Sequence, residues 1–140
     1  MTPAITNITP NLTVKNVQES IEFYTKLGFS LRIAITDKKE FHQALDKASH
    51  YIYAQVTIGN LEIMLQSKES VIEDNPFLKN LSIASSITLF CEVTGVEAFF
   101  ASLKGKVEIV KPLNTTWYGM QEFYIRDNNG YILGFAEKAK

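Results

Sequence analysis

Few side chains in this sequence are suited to chemistry, and they are scattered. His42 and His50 are its only imidazoles. A pair of ligands does not complete a metal site, so they read as exposed loop residues and no metal is assigned. Cys91, the only cysteine, alternates with Leu89 and Val93 toward an apolar face, as a buried, inert thiol would. Asp127-Asn-Asn-Gly130 has an acidic look, but one carboxylate in four residues cannot fill a calcium shell of roughly 6–8 oxygens, and the segment reads as a turn. What remains are polar residues on alternating runs. Glu122, Tyr124 and Arg126 share one strand face, where a phenol and a guanidinium can grip an oxyanion or an amide. A solvated face with a cross-strand salt bridge explains the same pattern. Glu62 and Met64 share a face of Leu61–Gln66, the side expected to line a partly polar concavity, and Thr88, Phe90 and Glu92 form a wall best explained by packing. Trp117, in a Thr-Thr-Trp-Tyr-Gly loop, is either a flat ligand contact or a plug for the core. Tyr51 and Tyr53 share a face and serve either stacking or packing.

The elements that must position these groups repeat. Val14 to Tyr24 aligns with Val93 to Leu103, matching apolar residues in each half. Val17, Ile21 and Tyr24, like Val96, Phe99, Phe100 and Leu103, fall at helical spacing. Asn16 with Glu19, and Thr94 with Glu97, have the spacing of capping boxes, and Gly28 suits a left-handed helix stop. A strand precedes each helix, Ile8 to Val14 and Ile87 to Val93. Strands follow at Ser30 to Ile35, Tyr51 to Ile58 and Leu61 to Gln66 in the first half, and at Val107 to Val110, Gln121 to Arg126 and Tyr131 to Ala136 in the second. Gly59-Asn60 reads as a hairpin turn, residues 37–49 as an inserted loop, and residues 68–84 as a linker between module 1 (about 1–67) and module 2 (about 85–140) of a single domain spanning 1–140.

Bulk properties narrow the function. With 14 basic and 15 acidic residues and no basic stripe, nothing supplies the phosphate neutralisation that nucleic-acid binding needs. The longest uncharged runs fall short of the roughly 20 apolar residues of a membrane span. One cysteine and an N-terminus without charged and apolar blocks point to the cytoplasm.

The opening Asn11-Leu-Thr-Val14, Ser20-Ile-Glu-Phe-Tyr24 and Leu27-Gly-Phe29, then Leu61–Gln66, then Trp117–Phe123 and Asp127–Glu137, together resemble the vicinal oxygen chelate superfamily of glyoxalases, bleomycin-resistance proteins, fosfomycin-resistance thiol transferases and extradiol dioxygenases. The resemblance implies an α+β fold in which two βαβββ modules form a curved, eight-stranded, mostly antiparallel sheet around a cup, with helices on the outer face. It also implies a homodimer. Metalloenzymes of the family hold a divalent ion with His or Glu from the first and last strands of each module. Those positions fall here on Thr9, Met64, Thr88 and Gly134, none of which is such a ligand. The pattern is therefore closest to the bleomycin-resistance-like members and implies metal-independent binding of a small molecule, a drug or metabolite, with no cofactor and with Trp117, Tyr124, Glu62, Met64, Thr88, Phe90 and Arg126 as contacts. The alternative is a lyase, isomerase or dioxygenase-like enzyme with a rebuilt site, using Glu62, Tyr124 or Glu92 as acid or base. A purely partner-binding module has little support, since no exposed apolar helix is expected.

Overall fold

The computed structural model describes residues 2–84 and 86–140. The chain divides into two compact units, Met1–Ile83 and Ala84–Lys140. In the first, β1 (Asn11–Val14), α1 (Val17–Lys26), β2 (Ser30–Thr36), β3 (Phe41–His42), β4 (Tyr51–Ile58) and β5 (Leu61–Ser67) precede α2 (Lys68–Asp74) and a 3-10 turn at Pro76–Leu78. The strand order is β1-β5-β4-β2-β3, with only β1 and β5 parallel. The second unit runs β6 (Thr88–Glu92), α3 (Val96–Leu103), β7 (Glu108–Thr115), β8 (Met120–Arg126) and β9 (Ile132–Lys138), ordered β6-β9-β8-β7 with β6 parallel to β9. The second unit is thus a βαβββ set and the first is the same set with the short β3 added, the α+β architecture expected, the strands falling into sheets of five and four.

The helix-spaced residues become core. Val17, Ile21 and Tyr24 are buried where α1 packs on β4 and β5, strands whose alternation buries Val56 and Leu65. Asn16 caps α1, its Oδ1 accepting the Glu19 amide at 2.9 Å. At the other end Gly28 takes φ +106°, Phe29 N donates to Tyr24 O, Gly28 N donates to Thr25 O, and the Tyr24 and Phe29 rings meet edge to face at 5.6 Å. This is a Schellman stop sealed by its apolar contact.

The second helix starts differently from expectation. Thr94 does not cap α3; Gly95 holds the N-cap at φ +73°, and the carboxylate of Glu137, arriving from β9, accepts the amides of Gly95 and Val96 at 3.0 Å each. A positive φ is cheap only for glycine, and it turns the two amides toward a strand 41 or 42 residues away. The linker is also more ordered than read: Ser67 Oγ accepts the Ser70 amide and starts α2. The inserted loop carries β3, and β1, β6 and β7 differ in extent from the runs expected, β1 beginning only at Asn11. Among the described residues, no helix is long and apolar enough to cross a membrane.

Candidate functional site

Register decides which side chains share a face. In the second sheet Glu122 pairs with Ala136, Tyr124 with Gly134 and Arg126 with Ile132, while Gly134 pairs in turn with Phe90 of β6. The opposite face carries Phe123, Ile125, Leu133 and Phe135, and packs against Phe99 and Phe100 of α3. Glu122, Tyr124 and Phe90 therefore stand together on the side away from the helix, as alternation requires.

Gly134 has a specific reason to be glycine. A Cβ built there would meet Tyr124 Cε2 at 2.5 Å, Cζ at 2.9 Å and Cδ2 at 3.0 Å, so the phenol ring fills the space a side chain would take. Next to it lies a buried carboxylate. Glu122 is 1% exposed; its Oε1 accepts the Tyr118 hydroxyl at 2.6 Å, and its Oε2 has no hydrogen-bond partner among the described residues. The phenol of Tyr118 is pushed up from its ordinary value, first by that hydrogen bond to Glu122 and then by burial and by the carboxylate's charge. Tyr124 is raised too, by burial first and Glu122's charge second. Both phenols thus stay protonated in the field of one carboxylate, available as donors.

Tyr118 is the residue that sequence reasoning missed; its only signal is adjacency to Trp117 in the turn between β7 and β8. The turn is closed by Thr116 N donating to Met120 O and Gly119 N to Thr116 O, and it sets Trp117 edge to face with Tyr118 at 5.3 Å. Trp117 is 94% exposed and does not plug the core. Arg126, at the other end of β8, pairs with Glu108 at 2.9 Å, the cross-strand bridge that competed with a ligand role. Phe90, Thr88 and Glu92 are exposed rather than packed, and Cys91 is half-buried, burial pushing its thiol up.

In the first sheet the corresponding face carries a polar network. Arg32, on a bulge between Leu31 and Ile33, donates to Glu62 at 2.8 Å and to Gln55 at 3.2 Å, and Gln55 donates to the Tyr53 hydroxyl at 2.9 Å. Met64 pairs with Gln55 on this face and with Asn11 of β1, whose amide donates to Gln66 at 2.8 Å. Glu62 is thus held by a guanidinium, and Tyr53 borders the open face. Tyr51 instead turns inward, its hydroxyl accepting the Asp46 amide at 2.7 Å and lying 2.8 Å from His42 Nδ1, so His42 is a half-buried, bonded residue rather than a free imidazole.

The metal-ligand positions implied by resemblance do not fit a metal. Thr9 precedes β1, the residue paired with Met64 is Asn11, and the residue paired with Gly134 is Phe90 rather than Thr88. Carboxamide, thioether, phenyl and a glycine covered by a tyrosine ring do not form a donor set for a first-row divalent ion. Among the described residues no three His, Cys, Asp or Glu side chains cluster as metal ligands. Asp127 is spent on its turn, Oδ1 accepting the amides of Asn129 and Tyr131.

Solved structures share the fold. The chain superposes on a glyoxalase/bleomycin resistance protein/dioxygenase from Nocardioides with a TM-score of 0.73 at 16% identity, covering 99% of this chain and 87% of that one. It superposes on TioX from Micromonospora sp. ML1 with a TM-score of 0.66 at 17% identity, covering 95% and 98% of the two chains. A glyoxalase-related enzyme from Clostridium phytofermentans gives a TM-score of 0.66 at 17% identity, covering 97% of each chain. No curated protein matches. The family model for the Glyoxalase/Bleomycin resistance protein/Dioxygenase superfamily matches residues 5–135, and with two βαβββ units and the relatives above, the chain belongs to that superfamily.

Proposed function

We propose that this protein binds a small organic molecule, a drug or a metabolite, on the helix-free face of its second sheet, without a metal and without turning it over. The observation that carries the reading is Tyr124 lying over Gly134: an aromatic ring takes the place where a chelating side chain would project. Around it stand features of a binding surface: two protonated phenols, a buried carboxylate and an exposed indole on the adjoining turn. Sequestration needs shape and aimed polar groups, not a nucleophile. An enzymatic role through Glu62 is disfavoured by its ion pair with Arg32, which holds the carboxylate as an acceptor already in use. The homodimer, on family resemblance, and the cytoplasmic location, on the single cysteine, belong to this same reading.

Trp117 is the only tryptophan, so its emission is a site-specific reporter. Titration with a panel of small aromatic amines, acids and amides should give saturable quenching or a spectral shift with at least one of them, lost in Tyr124→Ala. A panel with no saturable response, or a response that survives Tyr124→Ala unchanged, overturns the proposal.

A further inference from the structure

Glu122 is an anomaly that the fold alone does not explain. A carboxylate taken out of water costs several kcal/mol unless it is paired or fully hydrogen-bonded, as a general magnitude. Glu122 has one hydroxyl on Oε1 and nothing on Oε2. Among the described residues no neighbour supplies the missing donor. On one side of β8 the partner is Ala136, which offers a methyl group. On the other it is Asn114, whose amide nitrogen is already shared between Pro112 O at 2.9 Å and the backbone oxygen of Glu122 itself at 3.1 Å. Two residues along the strand, Tyr124 lies over Gly134, and the guanidinium of Arg126 is engaged by Glu108.

We infer that Glu122 is the specificity-determining anchor of this face and that its free oxygen takes a cationic nitrogen donor, an ammonium or amidinium group, carried by the bound molecule. This rests on the binding reading above and narrows it to a ligand class. The surroundings suit a cation: the rings of Tyr118 and Tyr124 border the carboxylate, and a ring face attracts positive charge as the carboxylate does. A planar amidinium also offers two parallel N–H donors to a carboxylate, the geometry of strong charge-assisted pairs. Tyr118 reaches Glu122 from the exposed turn Thr116–Gly119 and holds Oε1 alone, so swinging that one side chain aside frees the second oxygen for the other N–H of an amidinium.

Three isosteric probes decide the matter: benzamidinium, benzamide and benzoate, each titrated against the wild-type chain by Trp117 emission and by calorimetry. Benzamidinium should bind at least about tenfold tighter than benzamide, and benzoate more weakly than either. In Glu122→Gln the preference for benzamidinium over benzamide should disappear. In Tyr118→Phe, which frees Oε1 as well for the second N–H of the amidinium, benzamidinium should bind several-fold tighter. Equal or better binding of benzoate or benzamide to the wild-type protein overturns the charge assignment and leaves the binding function standing. Failure of all three probes, together with the broader panel, overturns both. The comparison within the wild-type chain decides the case even if Glu122→Gln does not fold.

Discussion

Tyr124 and Gly134 are one unit of structure, since the ring lies where any β-carbon at 134 would go. A methyl group cannot enter without moving ring atoms 2.5 to 3.0 Å away. Gly134→Ala is therefore expected to destabilise by about 1–3 kcal/mol, the usual cost of overpacking, and to weaken whatever binds over Tyr124. Tyr124→Ala removes the obstruction, so in the double variant the second substitution should cost less than in the wild-type background. Urea midpoints of the four proteins measure this coupling; strict additivity would mean the ring and the glycine are independent. The same pair shows what alternation could and could not reveal. Period-two spacing put Glu122 and Tyr124 on one face, but that Tyr124 reaches across to cover Gly134, or that Tyr118 folds onto Glu122, depends on register and rotamer, which spacing does not encode.

The two helices read as equivalent from sequence, and their starts separate them. Asn16 makes its capping bond; Thr94, the cap that spacing offered to the second helix, does not, because Gly95, at the position matching Asn16, turns the amides toward Glu137. Asn16→Ala should lower stability by about 1 kcal/mol, whereas Thr94→Ala should fall within about 0.5 kcal/mol of the parent, both read from urea unfolding. The Glu137 clamp adds a pH dependence. Its carboxyl is held below the ordinary range, chiefly by the Val96 amide and then by the Gly95 amide, against a smaller opposing effect of burial and with the least contribution from Lys140. The folded protein thus binds the Glu137 proton less tightly than the unfolded chain does, so its stabilisation is fully present above the ordinary carboxyl range and fades as pH falls through and below that range. Glu137→Gln should lower the unfolding midpoint at neutral pH and lose less on acidification than the parent; a parallel shift at every pH would remove the ionised clamp from the account. Local signals made legible the Asn16 cap, the Gly28 stop and the hairpin turns. A cap supplied from 41 residues away has no local signature; α2 does carry one, the Ser67 cap, but its seven residues are too few to show a helical period.

At the scale of the molecule, the internal repeat carries the architecture: matched helix and strand runs by themselves imply two βαβββ units, and the two sheets place a parallel first–last strand pair in each. Repetition also fixes where the stability must sit, because each unit packs its own helix or helices on its own sheet. In the second unit that layer is aromatic. Phe123 is fully buried and touches three other rings, Phe99 at 6.0 Å, Phe100 at 5.1 Å and Phe135 at 5.1 Å between centroids. It also sits between Glu122 and Tyr124 in sequence, so the strand that presents the candidate site is anchored by the ring pointing the other way. Phe123→Ala should cost about 3–5 kcal/mol, a large part of the roughly 5–15 kcal/mol that holds a domain of ordinary stability. Phe77→Ala, at a ring exposed on the first unit, should change stability by no more than about 0.5 kcal/mol. Denaturant melts of the two variants separate anchoring from surface apolarity. If Phe123→Ala were as mild as Phe77→Ala, the aromatic layer would not be what holds β8 in register, and the placement of Glu122 and Tyr124 would need another support.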